Sequence, residues 1–367
     1  MADTVPTYWD YLKVDQLLNL QGGLDNDESQ LMPDELHFIL VHQTLELWFK
    51  LVLSELRLAR DHLDAPEVPE EHIPHVVRHM KRVIEIFKLG ASQFDVVETL
   101  TPRDFLAFRD KLSPASGFQS FQLREVEILM GLEEAQRVKL GKVTAMDYLK
   151  GLADRSPAGA MAWEHIQRAR AETTLLKSLG KWLYRTPIQG STPDDPGDND
   201  AVDAFLNEYL AKWQTVSDGQ LARMIEIAAA PEDGLRARFA ATAEGAHSFL
   251  GALDVPDEER AYTRRIRAAI LFVESYRDLP LLAWPRSLLD TVAELEERVV
   301  LFRHRHARMV ERVIGRRVGT GGSSGVDYLD KTSQYRVFQD LWSVRTIFLP
   351  EGDLPPLRNA EFYGFAT

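Results

Sequence analysis

The chain of 367 residues contains no cysteine. This absence excludes disulfide bonds, iron–sulfur clusters, cysteine-bound zinc and thiolate-ligated haem in one step. It is compatible with a reducing cytoplasm, which is the location that we expect. A metal or cofactor site in this chain therefore cannot use a thiolate ligand.

Positively charged residues and long apolar runs are also scarce. Lys and Arg number 43 against 56 Asp and Glu, a net charge of −13, which argues against non-specific binding to nucleic acid or anionic membranes. Polar residues interrupt every apolar run before 18 residues, so we expect no transmembrane span. The start, MADTVPTYWDYLKVDQ, lacks a basic segment followed by an apolar core, and we expect no signal peptide.

Alternating strand patterns and Asn-Gly turns are nearly absent, which favours an all-α fold. We interpret residues 1–367 as a single large helical domain. The stretch 186–198, TPIQGSTPDDPGD, is the best candidate for a mobile or disordered loop. The apolar periodicity predicts helices over 8–21, 34–63, 70–97, 102–111, 118–138, 161–182, 199–226, 235–249, 258–276, 287–314 and 334–345.

One histidine lies on the apolar face of a helix near the C-terminus. His306 continues a stripe with spacings of 3 and 4, whose other members are Val292, Leu295, Val299, Phe302, Met309 and Val313. His304 points away from that stripe, towards Arg303, Arg305 and Arg308. A buried imidazole needs a partner, which is either a backbone carbonyl in an ordinary core or a ligand in a pocket.

The helix with His306 runs into a loop made of Gly, Ser and Thr, residues 319–325. Gly315 is a plausible C′ residue that ends the helix. The loop has neither the lysine of a P-loop nor a strand before it, so a phosphate site is disfavoured. We interpret it as a loop that closes over a ligand beside His306.

A second helix, within 34–56, carries another histidine on its apolar stripe, His42 with Phe38, Leu45, Phe49, Val52 and Leu56. Two such helices predict either two unrelated core histidines or a pocket for something flat and apolar. No H-E-x-x-H motif supports a non-haem metal site, whereas haem iron needs only one protein ligand. In a third block, Arg109 follows Phe105 by one helical turn, and it is suited either to the surface or to holding a carboxylate.

Together these blocks resemble the tryptophan 2,3-dioxygenase family. The matching stretches cover about a third of the chain. They are YWDYLKVDQLLNLQ (8–21), FILVHQTLELWFK (38–50), TPRDFLAFRDKLSPASGFQSFQLRE (101–125), the 302–329 region and YRVFQDLWSVRTIFLP (335–350). Two of them contain the most specific strings, SPASGFQS at 113–120 and GTGGSSG at 319–325. The resemblance implies a haem dioxygenase that opens the indole ring of L-tryptophan with O2 to give N-formyl-kynurenine. It also implies one haem b with Fe²⁺ per subunit and an intertwined homotetramer.

The resemblance implies a role for individual residues. His306 would ligate the haem iron, with Ser116 and Gly321 also contacting the cofactor. His42 would be the catalytic residue that accepts the indole N–H, and Arg109 would clamp the substrate carboxylate. The remaining substrate contacts would come from Phe38, Phe105, Thr320, Tyr8, Tyr11 and Leu12.

Tyr8, Tyr11 and Leu12 lie in the 1–20 segment, which in the family completes the pocket of a neighbouring subunit. Phe105 and Phe302 stand where other members carry Tyr and Trp, and about 140–265 resembles a family-variable helical insertion. Two alternatives stay open: a related haem oxygenase that inserts one oxygen into an indole or phenol, and a haem-binding sensor without turnover. The physiological substrate could also be a modified indole.

Overall fold

The computed structural model describes residues 5–139, 143–227, 231–317, 319 and 325–364. Within these ranges the regular structure is helical, and the only β-type pairing is an isolated bridge between Ile188 and Ser191. The prediction of an all-α fold is confirmed. The α-helices of the described residues are α1 (Tyr8–Leu12), α2 (Val14–Leu17), α3 (Glu35–Asp64), α4 (Ile73–Val97), α5 (Pro102–Leu112), α6 (Phe121–Met130), α7 (Ala145–Ala153), α8 (Pro157–Ala171), α9 (Leu175–Arg185), α10 (Asp198–Ile227), α11 (Glu232–Leu250), α12 (Asp257–Ser275), α13 (Ala283–Ile314), α14 (Gly325–Thr332), α15 (Gln339–Ser343) and α16 (Ala360–Tyr363).

The chain divides into two compact units. The first comprises Met1–Glu55, Arg82–Glu172 and Glu297–Tyr335, and the second comprises Leu56–Lys81, Thr173–Glu296 and Arg336–Thr367. Helices α3, α4 and α13 each contribute residues to both units. The assignment of residues 1–367 to one domain stays a prediction.

Local sequence explains where the helices around the first unit's core begin and end. The Thr101 side chain accepts a hydrogen bond from the Asp104 backbone at 3.2 Å and caps α5, while Pro102 occupies a position where no amide proton is needed. Gly315 has a φ of 61° and follows the last residue of α13, as its sequence position predicts. These two ends set the registers of the helices that carry Arg109 and His306.

Several predicted boundaries are wrong. The 8–21 helix is two short ones, because Lys13 adopts a left-handed φ of 55°. The 161–182 helix is broken between α8 and α9, where Thr174 caps α9 through the amide of Lys177. The 118–138 helix ends at Met130, before Gly131 with a φ of 121°, and α7 and α14 were not anticipated.

The 186–198 loop, for which the sequence favours mobility, has specific contacts in the second unit. Arg265 donates to the Thr186 carbonyl at 3.1 Å, and the Gly190 amide donates to the Tyr363 hydroxyl at 2.7 Å. Ser191 donates to the buried carboxylate of Asp198 at 2.9 Å. Thr186, Gly190 and Ser191 thus tie the loop to neighbouring helices, and its mobility stays a prediction.

By length and composition alone, α3 is long and apolar enough to cross a membrane. One such helix is weak evidence, since the core helix of a soluble protein passes the same test. Only 22% of its most apolar 18-residue window is buried within one chain. The helix therefore presents apolar surface that a single chain does not cover.

Candidate functional site

The first unit contains a large cavity between helices α3, α5, α6, α13 and α14 and the turn at 116–118. About 1170 Å³ of space inside it, including its open mouth, is free of protein atoms. Its lining is mainly apolar, with two histidines and a few arginines among the apolar side chains. That composition is typical of a pocket that binds a small molecule or a cofactor.

His306 faces this cavity from α13. The predicted stripe is confirmed, since Val299, Phe302, Met309 and Val313 are all buried, whereas His304 is exposed. Burial, followed by the neighbouring His42, Arg303 and Arg124 side chains, lowers the pKa of His306 to about 4. The imidazole is therefore neutral at pH 7, and a nitrogen lone pair is available to a metal ion.

His42 faces the same cavity from α3. Its side chain has accessible surface, but that surface belongs to the cavity. The Nδ1 atom lies 2.7 Å from the backbone carbonyl of Phe38, one turn earlier. Because a carbonyl only accepts, Nδ1 carries the proton and Nε2 is left as an acceptor. Burial lowers the pKa of His42, although the Phe38 carbonyl and the Glu46 carboxylate oppose it, so this neutral form persists at pH 7.

Aromatic rings form one wall beside His42. The Phe38 ring lies 4.1 Å from the His42 ring and 5.8 Å from Phe105, measured between ring centres. Phe108 packs edge-on against both phenylalanines, and Phe105 and Phe108 are buried. Such a wall excludes water and offers flat apolar surface to an aromatic ligand.

Arg109 lines the cavity from α5, one turn after Phe105, and is half-buried. The neighbouring Lys111 anchors its helix, since Lys111 Nζ lies 2.9 Å from Glu35 Oε2 at the start of α3. Glu35 also accepts from the Met32 amide at 3.0 Å. These bonds fix α5 relative to the helix that carries Phe38 and His42. Arg109 and the aromatic wall therefore line the same cavity.

Sequence reasoning missed a buried charged cluster on the opposite wall. Glu127 binds Arg303 and Arg137 at 2.5 Å each and Arg124 at 3.0 Å. All four side chains are at most 7% exposed, and Arg124 and Arg303 line the cavity. Burial would raise the pKa of Glu127, but the three guanidinium groups outweigh it and lower the pKa to about 2.

The placement of Arg303 on the outward face with His304 and Arg305 is therefore wrong. Arg303 lies at the edge of the apolar stripe, one turn before His306, and Glu127 compensates the charge that burial would otherwise leave unpaired. Only the position of Glu127 inside the apolar helix α6 could have hinted at such a partner. Three guanidiniums thus share one carboxylate. Since Arg124 and Arg303 line the cavity, this part of its wall carries excess positive charge, which suits an anion.

Of the other expected site residues, Phe38, Phe105 and Ser116 line the cavity. Tyr8, Tyr11 and Leu12 do not line it in the single chain, and their side chains are 69%, 82% and 47% exposed. Thr320 and Gly321 lie outside the described residues.

These features define a class of protein, an all-α protein with a buried apolar pocket that offers two neutral histidines and separate arginine sites. Residues 2–348 match the family model described as tryptophan 2,3-dioxygenase. The chain belongs to the tryptophan 2,3-dioxygenase family, whose members are haem-dependent oxidoreductases.

Individual relatives agree over long alignments. "Tryptophan 2,3-dioxygenase 2" of Ralstonia nicotianae is 49% identical over 98% of both chains. "Tryptophan 2,3-dioxygenase" of Sorangium cellulosum is 46% identical over 98% of this chain and 87% of its own. A "Tryptophan 2,3-dioxygenase-like protein" of Xanthomonas campestris is 48% identical over 72% of this chain and 98% of its own. The interpretation of 140–265 as a family-variable insertion stays a prediction.

Proposed function

We propose that this chain is a haem-dependent dioxygenase that cleaves the indole C2–C3 bond of L-tryptophan with O2, giving N-formyl-kynurenine. The observation that carries the proposal is a single cavity lined by His306, His42 and Arg109, in a chain whose relatives are named for this activity. The three side chains offer a metal ligand, an acceptor for an indole N–H and a partner for a carboxylate.

The residues present fit haem b. His306 offers one neutral nitrogen donor, and no group of three or more His, Asp or Glu in the described residues is placed to hold a metal ion without a macrocycle. Haem b also carries two propionate carboxylates, and the excess positive charge of Arg124 and Arg303 on the cavity wall suits them. When bound, the haem iron supplies the activation of dioxygen, which does not react readily with a closed-shell indole.

The chain's own residues would bind and orient the substrate. Arg109 pairs with the α-carboxylate, and Nε2 of His42 accepts the indole N1–H because Nδ1 is committed to the Phe38 carbonyl. Phe38 and Phe105 enclose the ring and keep water away. Thr320, which follows α13 in the sequence, is proposed to contact the amino-acid end of the substrate. Orientation by such contacts can lower a barrier by several kcal/mol.

The N-terminal segment supports a further part of the proposal, an intertwined homotetramer. Tyr8, Trp9 and Tyr11 each expose more than 60% of their side chains, which a stable chain rarely leaves uncovered as a group. Leu47 on α3 is 51% exposed. We assign these surfaces to a neighbouring copy, with Tyr8, Tyr11 and Leu12 completing that copy's pocket. The cytoplasmic location stays a prediction.

One experiment tests the activity and separates it from the alternatives. Reduced, haem-loaded protein is incubated with L-tryptophan and O2, and the product is weighed by mass spectrometry. A gain of two oxygen atoms supports the proposal; a gain of one supports the mono-oxygenating alternative; unchanged tryptophan supports the sensor. A parallel comparison of His306→Ala with His304→Ala tests the ligand, because only the first should lose haem.

A further inference from the structure

The ring of Phe94, on α4, lies almost parallel to the ring of His306. The angle between the ring planes is 9°, and the ring centres are 5.2 Å apart. Phe94 is 2% exposed, so its own ring is held on all sides by the core. Phe302 supports the same arrangement, with its ring centre 5.1 Å from Phe94 and 6.4 Å from His306.

Close packing of α4 against α13 supports this arrangement. Gly90 precedes Phe94 by one turn, and a Cβ atom at this position would lie 3.2 Å from Cε2 of Phe302. Phe302 in turn packs edge-on against Phe87 and Phe49, which are both buried. The Phe302 ring is thus packed tightly on the side of α4, where it supports the stack of Phe94 on the imidazole.

A histidine that ligates a metal is usually oriented by a hydrogen bond from its second nitrogen to a carboxylate, a carbonyl or water. Within 5–139, 143–227, 231–317, 319 and 325–364 no group accepts such a hydrogen bond from His306. His42 differs, because the Phe38 carbonyl holds its Nδ1. Some other contact must set the plane of the His306 ring, and the flat face of Phe94 is the one in place.

We propose that Phe94 is a positioning residue that fixes the plane of the His306 imidazole by stacking, where other histidine ligands rely on a hydrogen bond that the imidazole donates. This inference rests on the proposed function, since it presumes that His306 ligates haem iron. The helix α4 carries none of the residues expected to touch substrate. Through Phe94 it would nevertheless influence the properties of the iron site.

The test compares Phe94→Leu with Phe87→Leu in the haem-loaded protein. Both positions are 2% exposed and lose the same atoms, but the Phe87 ring contacts Phe302 and Phe49 and has no ring contact with His306. The first readout is the iron–imidazole stretching band of the ferrous protein by resonance Raman spectroscopy. The second is the rate of haem transfer to excess apomyoglobin.

We expect Phe94→Leu to shift or broaden the band, because the imidazole can then rotate, and to release haem roughly 2- to 10-fold faster than Phe87→Leu. An unchanged band in Phe94→Leu, or the same change in both variants, would overturn the inference and leave Phe94 as a core residue. If Phe94→Leu does not fold, Phe94→Met is measured in its place, because it retains volume without a flat face. Wild-type protein that binds no haem would instead refute the proposed function.

Discussion

Replacing His42 tests the most specific feature of the site, the assignment of its ring nitrogens. His42→Ala removes the Nε2 acceptor while leaving Arg109 and His306 in place. A neutral hydrogen bond contributes about 0.5–1.5 kcal/mol net, which corresponds to about 2- to 13-fold in kcat/KM. The variant should therefore be slower but active.

The acceptor role is best measured with a pair of substrates. Wild-type protein should prefer tryptophan over the analogue that carries sulfur in place of the indole N–H, and His42→Ala should lose this preference. His37→Ala is a suitable control, since His37 lies on α3 but does not line the cavity. Loss of roughly 100-fold or more in kcat/KM with tryptophan would refute this reasoning and indicate an obligatory general base.

The effect of pH on this substrate preference follows from the hydrogen bond between Nδ1 of His42 and the Phe38 carbonyl. Burial lowers the pKa of His42, so Nε2 accepts hydrogen bonds at neutral pH and loses that capacity only when the pH falls below the shifted pKa. The preference of the wild type for tryptophan over the sulfur analogue should then decline in acid, below about pH 6.5. His42→Ala should show no such decline. A wild-type preference that declined above pH 7 would contradict the proposed tautomer.

Three further changes probe other parts of the site. Arg109→Ala should lose on the order of 2–4 kcal/mol of transition-state binding, roughly 30- to 1000-fold in kcat/KM, with normal haem content; unchanged kcat/KM would make Arg109 a surface residue. Glu127→Gln should reduce the free energy of unfolding by about 3–5 kcal/mol near neutral pH, because three buried guanidiniums lose their shared carboxylate. Since the folded pKa of Glu127, about 2, lies below that of an unfolded glutamate, its stabilisation is present above about pH 4.3 and is lost as the pH falls towards 2, which acid-unfolding curves of both proteins would show. Deleting residues 1–12 should raise KM for tryptophan and weaken assembly together, whereas a truncated tetramer with normal KM would show that each pocket is built from one chain.

The sequence predicted the facing of His306 because that signal is purely periodic. Val299, Phe302, Met309 and Val313 recur at spacings of 3 and 4, and the structure buries all of them. The same apolar periodicity predicted that α3, α4 and α10 exist. Helix ends were less predictable, because a residue such as Lys13 can adopt a left-handed conformation that no periodic pattern reveals.

The charged cluster could not be predicted from one sequence. Arg303 looks like an outward residue among other arginines, and its burial depends on Glu127, which lies 176 positions away along the chain. Pairing at that separation is a property of the fold rather than of either helix. The same limit applies to Phe94, whose stacking on His306 requires α4 and α13 to meet at Gly90.

The cluster also links cofactor binding to stability. Arg124 and Arg303 line the cavity and share the single carboxylate of Glu127 with Arg137, so the cluster carries excess positive charge. Buried charge without a full counter-charge reduces the stability of the folded chain, and the two bound propionates of haem would balance it. Any ligand that binds only the folded state adds to its stability in proportion to the logarithm of its concentration. If Arg124 and Arg303 hold the haem propionates as we propose, the folded chain reaches its full stability only when the cofactor is bound.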